Sequence, residues 1–507
     1  MGQPNILLIM ADQLTAFALP SYGHPVVRAP HITALAEEGV LFENAYCNSP
    51  LCAPSRASMM TGRLPSRIGA YDNASEFPAG LPTLAHGLRA QGYLTCLAGK
   101  MHFVGPDQLH GFEERLTPDI YPADFAWIPN WDEPEERIDW WYHNMLSVKQ
   151  AGIAEATNQL DYDDEVAFHA VRFLKDQARA AKRRPFFLTV SFTHPHDPYA
   201  IRAEYWNRYE DREIAPPRVG PLPLERMDAH SRRLRRVSAM DEVEVSEDDV
   251  RRARRAYYGA ISYVDDHVGE LLATLRTFDL AAETVVLLTA DHGELLGERG
   301  LWYKMHLFEW AVRVPLIVHA PARFARRRVG VPVSLVDLLP TVVELGRPAA
   351  SPGELELQGD GQSLVPLLEG RPGEERCVLA EYLAEGALAP IFMLRRGVQK
   401  FIWSEPDPPL LFDLEQDPDE LDNLAEQSAH ADRVRAFEAE VRERWDPQAL
   451  YQAIVASQRT RRVAWEALAH GRKAPWEWNP ALHRGGYVGA DVDLNMLERS
   501  RRYPPPE

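Results

Sequence analysis

Cys52 lies in the stretch of this sequence with the greatest potential for nucleophilic chemistry, Ser-Pro-Leu-Cys-Ala-Pro-Ser-Arg at positions 49–56. Pro54 has a fixed φ and no N–H group, which favours an irregular entry into a helix that residues 57–61 could begin. A nucleophile just before a helix N-terminus lies where backbone N–H groups and the helix dipole favour an anion. Arg56 adds a permanent, forked cation suited to a tetrahedral oxyanion. The alternative is that Cys52 is a small buried apolar residue, which is the usual role of an isolated cysteine.

Four short apolar runs predict buried strands of one parallel sheet, because they are rich in branched and other apolar residues. In an open α/β sheet, ligands gather at the carboxyl ends of the strands. Each run ends in polar or ionisable residues, so we expect a functional site along this edge, with the acidic residues as candidate metal ligands. The runs and the residues that follow them are Asn5–Met10 with Asp12 and Gln13, Tyr93–Ala98 with Lys100 and His102, Pro185–Phe192 with His194 and His196, and Thr284–Ala290 with Asp291 and His292.

The composition is typical of a globular protein and argues against several classes of function. The 507 residues include 45% hydrophobic and 25% charged residues, and the formal net charge is −19. This charge argues against nonspecific nucleic-acid binding, although local Arg and Lys residues can still create a pocket for an anion. Four cysteines are too few for a disulfide framework. The N-terminal sequence lacks the features of a signal peptide, and no apolar run approaches the length of a membrane span, which predicts a cytoplasmic location.

Sequence patterns divide the chain into four parts. Residues 1–346 predict an α/β domain with a large, mostly parallel sheet flanked by helices, of which 247–276 is the longest helix. Residues 347–375 are rich in Gly, Pro and Glu and predict a junction loop. Residues 376–446 predict a smaller α+β subdomain with short antiparallel strands and a helix over 424–445. Residues 447–507 are interpreted as an extended tail, and we expect its apolar positions to dock on another surface.

Two segments of the large domain lack a regular pattern. Residues 116–164 are rich in Trp, Tyr, Asp and Pro, and they predict the wall of a pocket. Residues 214–245 are rich in Pro and Arg, and they predict an irregular surface segment.

The pattern Cys-x-Pro-x-Arg, followed by residues 57–63, resembles the signature of the sulfatase family in the alkaline-phosphatase-like superfamily. The resemblance implies that a formylglycine-generating maturation enzyme oxidises Cys52 to an aldehyde, whose hydrated form is the nucleophile. The metal positions of the family correspond here to Asp12, Gln13, Asp291 and His292, with residue 52 as a further ligand. Other sulfatases commonly carry Asp-Asp and Asp-Asn at these positions. The mostly oxygen donors predict Ca²⁺, and the imidazole nitrogen leaves Mn²⁺ open.

The same resemblance implies roles for ionisable side chains around residue 52. Lys100 would hold a sulfate oxygen, and His102 would hydrogen-bond the diol and assist breakdown of the covalent sulfate intermediate. His196 and Lys304 would bind the ester oxygen and protonate the leaving alcohol. His194 is a weaker competitor for the role of His196.

Longer runs are similar to the bacterial choline-sulfatases and cover most of the first 320 residues. A choline ester carries a quaternary ammonium, which has no N–H group and is bound by aromatic faces and a carboxylate. The resemblance places this pocket at Trp127, His143 and Glu381, and Asn73 matches a further active-site position. Core packing is the alternative role for Trp127. The similar runs are residues 99–115, 119–125, 138–144, 191–199 and 297–305.

The C-terminal tail keeps this pattern in one part and departs from it in another. Residues 494–499 match it, whereas residues 489–493, Gly-Ala-Asp-Val-Asp, differ from an Asn-His-Met-Asp stretch of the choline-sulfatases. In that family the tail reaches the active site of a neighbouring subunit, which implies a homo-oligomer, either a dimer or a tetramer. The change bears on the identity of the leaving group, although Asp491 facing a cation would still be consistent with choline.

The sequence therefore predicts hydrolysis of a sulfate monoester, choline sulfate to choline and sulfate, by a metal-dependent enzyme with a formylglycine nucleophile. One alternative is a phosphonate monoester or phosphodiester hydrolase, because that related group uses the same nucleophile and metal site. Another is a non-catalytic choline-binding protein whose cysteine is never modified. The expected partners are a small-molecule sulfate ester and the maturation enzyme; neither nucleic acid nor a membrane is expected to bind.

Overall fold

A computed structural model describes residues 2–139, 142–348, 357–373, 375–471, 476–478, 493–502 and 504. Part of the predicted junction loop and residues 489–492 of the divergent tail stretch, including Asp491, lie outside these ranges. The strands within them are β1 Asn5–Ala11, β2 Val40–Tyr46, β3 Leu94–Gly99, β4 Glu114–Arg115, β5 Gly152–Ile153, β6 Phe186–Phe192, β7 Ala200–Ile201, β8 Thr284–Ala290, β9 Arg313–His319, β10 Arg327–Val329, β11 Val333–Ser334, β12 Cys377–Tyr382, β13 Ile391–Arg396, β14 Gln399–Trp403 and β15 Leu410–Asp413. The α-helices are α1 Pro30–Glu38, α2 Cys52–Thr61, α3 Pro65–Ile68, α4 Leu84–Ala90, α5 Leu146–Lys149, α6 Asn158–Arg179, α7 Ala203–Trp206, α8 Ala229–Val237, α9 Glu247–Thr277, α10 Glu309–Val312, α11 Leu338–Gly346, α12 Val365–Leu368, α13 Ala431–Arg444, α14 Pro447–Leu468 and α15 Leu494–Arg501.

A large, mostly parallel sheet forms the centre of the structure, with the strand order β10-β2-β9-β8-β1-β6-β3-β4 and with β11 also paired to β2. The four strands predicted from the apolar runs, β1, β3, β6 and β8, are neighbours in this sheet and run parallel to one another. β9 runs antiparallel to both β8 and β2, so the sheet is mixed. Every residue of β1, β6 and β8 is buried, which explains why their sequences are continuously apolar. The predicted fold class is confirmed.

The helices around the sheet confirm one prediction and correct another. α9 spans 31 residues, one more at its C-terminal end than the periodicity at 247–276 predicted, and Ser246 and Asp249 form a capping box at its N-terminus. The segment 214–245 is not irregular throughout, because α8 lies within it. Four arginines among the nine residues of α8 obscure its apolar spacing in the sequence. None of the described helices has the length and continuous apolar sequence that crossing a lipid bilayer requires.

The C-terminal part contains a second, four-stranded antiparallel sheet in the order β12-β13-β14-β15. These strands agree with the short antiparallel strands predicted for residues 376–446. Aromatic side chains of β13 and β14 form an apolar cluster with Phe437 and Val441 of α13. The helix predicted over 424–445 begins later, at Ala431, after two short 3₁₀ turns.

The segment interpreted as an extended tail begins with a long helix, α14. Asp446 caps this helix by accepting a hydrogen bond from the Ala449 N–H group, and Pro447 occupies the first helical position. Further along, the ring of Trp476 packs edge-on against Phe125, with 5.2 Å between the ring centroids. The described parts of the tail therefore contact this chain itself, and docking on a neighbouring subunit stays a prediction.

Candidate active site

The carboxyl ends of four adjacent strands bring most of the predicted site residues together. Asp12 follows β1, Lys100 follows β3 and Asp291 follows β8, and the strand order β8-β1-β6-β3 places these ends side by side. Gly99, the last residue of β3, has a φ of +109°, and a Cβ atom there would collide with the carbonyl group of Ser191. Glycine therefore allows the chain to turn so that Lys100 enters the site.

Cys52 is the first residue of α2, at the edge of the sheet where the strands end. Its Sγ atom lies 3.2 Å from Nε2 of His292 and 3.8 Å from Oδ1 of Asp12. Leu51, the N-cap residue of α2, makes no side-chain capping bond. Instead, Oδ1 of Asn73 accepts a hydrogen bond from the Ala53 N–H group at 3.0 Å. Asn73 therefore supplies the cap that Leu51 lacks and helps to fix the beginning of the helix.

Four buried donor groups converge at this position. One donor atom from each of Asp12, Cys52, Asp291 and His292 lies within 4.8 Å of the other three. Two carboxylates and an imidazole beside residue 52 are a donor set suited to a divalent cation. The Oε1 atom of Gln13 accepts a hydrogen bond from Lys304 at 2.6 Å. The role of Gln13 as a metal ligand stays a prediction.

Arg56 and Lys100 provide positive charge directly beside the two carboxylates. Nε of Arg56 donates to Oδ2 of Asp291 at 2.8 Å, and Nζ of Lys100 donates to Oδ2 of Asp12. Burial alone would raise the pKa of Asp12, but Lys100 and Arg56 outweigh it and hold this pKa well below its usual range. Burial, and then the Asp12 carboxylate, raise the pKa of the Cys52 thiol to about 12.

Lys304 and His196 form a hydrogen-bonded pair on the other side of this cluster. Nζ of Lys304 lies 2.7 Å from Nε2 of His196. Nδ1 of His196 lies 2.6 Å from the carbonyl oxygen of Asp197, so Nδ1 carries the proton and Nε2 accepts from Lys304. Burial and the Lys304 charge lower the pKa of His196 well below its usual value, which keeps this imidazole neutral. The pair can therefore hold and transfer a proton.

The structure separates the competing histidines. Nδ1 of His194 lies 2.7 Å from Oδ2 of Asp163, so this ring is held by Asp163 and not by Lys304. His143 lies on the side of Lys304, with Nε2 3.6 Å from Oδ1 of Asp197. Burial, followed by the Lys304 charge, lowers the pKa of His143 to about 4. The fold therefore brings both His143 and His196 to Lys304, whereas His194 is paired with Asp163.

Trp127, Tyr121 and His102 form an aromatic cluster beside Lys100. The ring centroid of Trp127 lies 5.6 Å from that of His102 and 5.3 Å from that of Tyr121, both in edge-to-face arrangements. Nζ of Lys100 lies 4.0 Å from the centre of the Tyr121 ring. Burial and then Lys100 lower the pKa of His102 to about 3. Neither ring nitrogen of His102 has a hydrogen-bond partner among the residues that the structure describes, so both can form hydrogen bonds to a ligand.

Glu381, the predicted carboxylate of the choline pocket, is engaged elsewhere. Its carboxylate accepts hydrogen bonds from the Ser66 N–H and hydroxyl groups at 2.7 and 2.6 Å and from Nε1 of Trp445 at 2.6 Å. These bonds connect β12 to α3 and to the end of α13. The hydrogen bonds of Glu381 thus connect parts of the fold, and its role in substrate binding stays a prediction.

Glu385 is a buried carboxylate that no sequence motif indicated. Its Oε1 atom has no hydrogen-bond partner within the described ranges, and the group interacts electrostatically with Asp72 and Lys304. Burial, and then the Asp72 carboxylate, raise the pKa of Glu385 to about 7. The signal in the sequence was a second acid just beyond the strand end, in Glu-Tyr-Leu-Ala-Glu at 381–385.

Family profiles and known proteins match this chain along its length. The profile described as Sulfatase matches residues 4–347, N-sulphoglucosamine sulphohydrolase, C-terminal matches 297–446, and Choline sulfatase enzyme C terminal matches 452–503. The choline-sulfatase of Rhizobium meliloti (strain 1021) is 48% identical over 510 residues, which cover 99% of each chain. An arylsulfatase of Clostridium perfringens (strain 13 / Type A) is 27% identical over 455 residues, which cover 85% of this chain and 92% of that protein.

Solved structures share the fold at lower sequence identity. A phosphonate monoester hydrolase of Agrobacterium radiobacter superposes with a TM-score of 0.69 over 87% of this chain and 95% of the other, at 23% identity. A phosphonate monoester hydrolase from Silicibacter pomeroyi gives a TM-score of 0.67 at 24% identity, with the same coverage of both chains. At such identities the likeness concerns the fold alone. The sulfatase profile over residues 4–347 and the full-length 48% identity to a choline-sulfatase show that this chain belongs to the sulfatase family of sulfuric ester hydrolases.

Proposed function

We propose that the protein hydrolyses choline sulfate to choline and sulfate, with a formylglycine derived from Cys52 as the nucleophile. The observation that carries this proposal is the convergence of metal-ligand candidates and cationic side chains around Cys52 in one buried site. The full-length similarity to a choline-sulfatase supports choline as the leaving group. The predicted maturation enzyme and a homo-oligomeric assembly are part of the proposal.

Asp12, Asp291 and His292 would hold a divalent cation, with residue 52 as a further ligand. The fit rests on the donor chemistry, because two carboxylates and an imidazole nitrogen face one another in a buried cluster. Ca²⁺ is the first expectation and Mn²⁺ the second. When bound, the cation polarises the sulfuryl group, and the formylglycine supplies a hydrated aldehyde as the attacking oxygen.

The side chains of this chain account for binding and proton transfer. Lys100 and Arg56 place positive charge beside residue 52, where a sulfate group would carry its negative charge. Lys304 holds a proton between Nε2 of His196 and Oε1 of Gln13, and it can deliver this proton to the leaving alcohol. Because these groups are buried, their electrostatic interactions are stronger than in water and need little reorganisation.

The choline group would be recognised by aromatic faces and by one carboxylate. Trp127 and Tyr121 supply the aromatic surface beside Lys100. We assign the carboxylate to Glu385, since Glu381 is engaged by Ser66 and Trp445 whereas Oε1 of Glu385 has no partner in the described structure.

The Glu385→Gln variant tests this assignment. We expect its KM for choline sulfate to rise about tenfold or more, because a negative charge opposite the ammonium is lost, with KM for an uncharged aryl sulfate changing less than about twofold. Glu381→Gln is the matched control and should show no such selectivity. In the wild type, KM for choline sulfate should fall between about pH 6 and about pH 8 as Glu385 ionises, and this dependence should disappear in Glu385→Gln. Equal effects on both substrates would contradict the assignment.

Trp127→Ala should also discriminate between the two substrates. We expect KM for choline sulfate to rise about tenfold, because the cation–π contact is lost, and KM for the aryl sulfate to change much less. Trp127→Phe keeps an aromatic face and should recover part of the affinity. Steady-state kinetics on both substrates provide the measurement, and equal effects of Trp127→Ala on both would reduce the role of Trp127 to packing.

A substrate profile on protein of verified maturation tests the function as a whole. Intact mass of the peptide spanning residues 49–56 shows whether Cys52 is modified in the sample that is assayed. Choline sulfate should be hydrolysed with a far higher kcat/KM than a phenyl phosphonate ester. A clear preference for the phosphonate would overturn the proposal in favour of a phosphonate hydrolase, and an unmodified thiol in an active sample would exclude the formylglycine mechanism.

A further inference from the structure

One face of α14 connects several segments of the active site. Gln458, Arg461 and Trp465 follow one another at intervals of three and four residues, so they lie along the same side of this helix. Oε1 of Gln458 accepts a hydrogen bond from the Trp131 N–H group at 3.0 Å, in the aromatic segment that also carries Trp127. Trp465 packs against the apolar cluster that contains Ala53, the residue after the proposed nucleophile. α14 therefore contacts both the aromatic segment that carries Trp127 and the apolar cluster around Ala53.

Arg461 makes the most specific contact of this helix. Its two terminal nitrogens donate to the two carboxylate oxygens of Asp72 at 2.8 and 2.7 Å, and both side chains are buried. Nε of Arg461 donates to Oγ of Ser457 at 3.1 Å, which holds the guanidinium in place. A bidentate pair fixes orientation as well as charge. Removing one member of such a buried pair leaves the other charge uncompensated.

The Asp72 carboxylate organises the turn that carries Asn73. Oδ1 of Asp72 also accepts a hydrogen bond from the Ala74 N–H group at 3.0 Å. The backbone of Asn73 is therefore held between two anchored neighbours, while its side chain accepts from the Ala53 N–H group. A continuous series of contacts thus leads from Arg461 through Asp72 and Asn73 to the first turn of α2.

We propose that Arg461 is a positioning residue for the sulfatase reaction. Through Asp72 and Asn73 it fixes the N-terminus of α2 and with it the orientation of residue 52 toward Asp12 and His292. The inference rests on the proposed function in that residue 52 is taken as the nucleophile. It gives α14, most of which lies in the segment matched by the choline-sulfatase C-terminal profile, a role in catalysis by its own chain.

The test is the kinetics of Arg461→Met on choline sulfate and on an uncharged aryl sulfate, expressed per formylglycine-containing chain. We expect kcat to fall about 10- to 100-fold for both substrates, because a small displacement of a reacting group has an effect of this size, with KM for the aryl sulfate changing less than about threefold. A merely structural role would lower the melting temperature and the yield but leave kcat per matured site unchanged. The proposal is overturned if the Arg461→Met variant is folded and matured and its kcat equals that of the wild type.

A double-mutant cycle with Asp72→Asn tests the route of the effect. If Arg461 acts through Asp72, the combined variant should be no slower than the slower single variant. If the fold-decreases in kcat of the two single variants multiply in the combined variant, the two residues act independently, and this result would overturn the route through Asp72. Arg461→Lys keeps the charge without the two parallel hydrogen bonds and should have an intermediate kcat. If Arg461→Met does not accumulate as folded protein, Arg461→Lys carries the test, and a kcat equal to the wild type then refutes the proposal.

Arg459→Met on the same helix is the matched control. Arg459 pairs with Asp132 at the surface, where the side chains are 64% and 48% exposed, so its loss should leave kcat unchanged. The aryl sulfate separates this inference from the proposed substrate. The enzyme could hydrolyse the aryl sulfate in a manner that depends on Arg461 and yet not hydrolyse choline sulfate. This result would support the positioning role of Arg461 and refute choline as the leaving group.

Discussion

Cys52→Ser is expected to reduce kcat for choline sulfate by at least about 10⁴-fold while the protein still folds. A serine cannot provide the hydrated aldehyde in a host whose maturation enzyme acts on cysteine, so the attacking oxygen is lost while the surrounding charges remain. The side chain is buried beside His292 and Asp12, and a hydroxyl group fits the same space. The measurement is steady-state turnover together with a thermal unfolding curve.

Cys377→Ser provides the control for this experiment. Cys377 is a half-buried thiol at the start of β12, outside the cluster around Cys52, and its replacement should leave turnover close to that of the wild type. The mass of the peptide that contains residue 52 should confirm formylglycine in the wild type and in Cys377→Ser. Substantial turnover by Cys52→Ser would show that residue 52 is not the nucleophile.

Asp12→Asn is expected to lose most of the bound divalent metal and to reduce kcat about 10³-fold. The substitution removes one of the two negative charges of the candidate metal site and leaves Lys100 beside a neutral amide. Metal content per chain, measured by elemental analysis after exhaustive dialysis, provides a readout that does not depend on turnover. Chelation of the wild type followed by addition of Ca²⁺ or Mn²⁺ should show which ion restores activity.

Asp228→Asn is the matched control for the metal site. The Asp228 side chain is also largely buried, but its Oδ1 atom caps α8 by accepting a hydrogen bond from the Ser231 N–H group at 2.9 Å, and an amide oxygen can accept this bond too. Its metal content and kcat should remain near those of the wild type. Asp12→Asn with the metal content of the wild type would refute Asp12 as a ligand.

Local sequence determined the strands of the sheet and the reactive residue types that lie at the site. Strands buried on both faces need continuous apolar runs, and this requirement made β1, β3, β6 and β8 recognisable without long-range information. Because parallel strands end at one edge, the residues after those runs, among them Asp12, Lys100 and Asp291, could be predicted to meet. The motif around Cys52 is contiguous in sequence, so it too could be recognised.

Tertiary structure alone decided which of these reactive residues contact one another. His194 and His196 are two residues apart, and the packing of Asp163 against one and Lys304 against the other separates them. Glu385 differs from Glu381 through contacts with residues hundreds of positions away, which no local pattern encodes. Arg461 reaches Asp72 across 389 positions of sequence because α14 packs on the active-site loops. Side-chain partners at such separations depend on how the whole chain packs, whereas buried strands and motif spacing can be recognised from residues that are neighbours in the sequence.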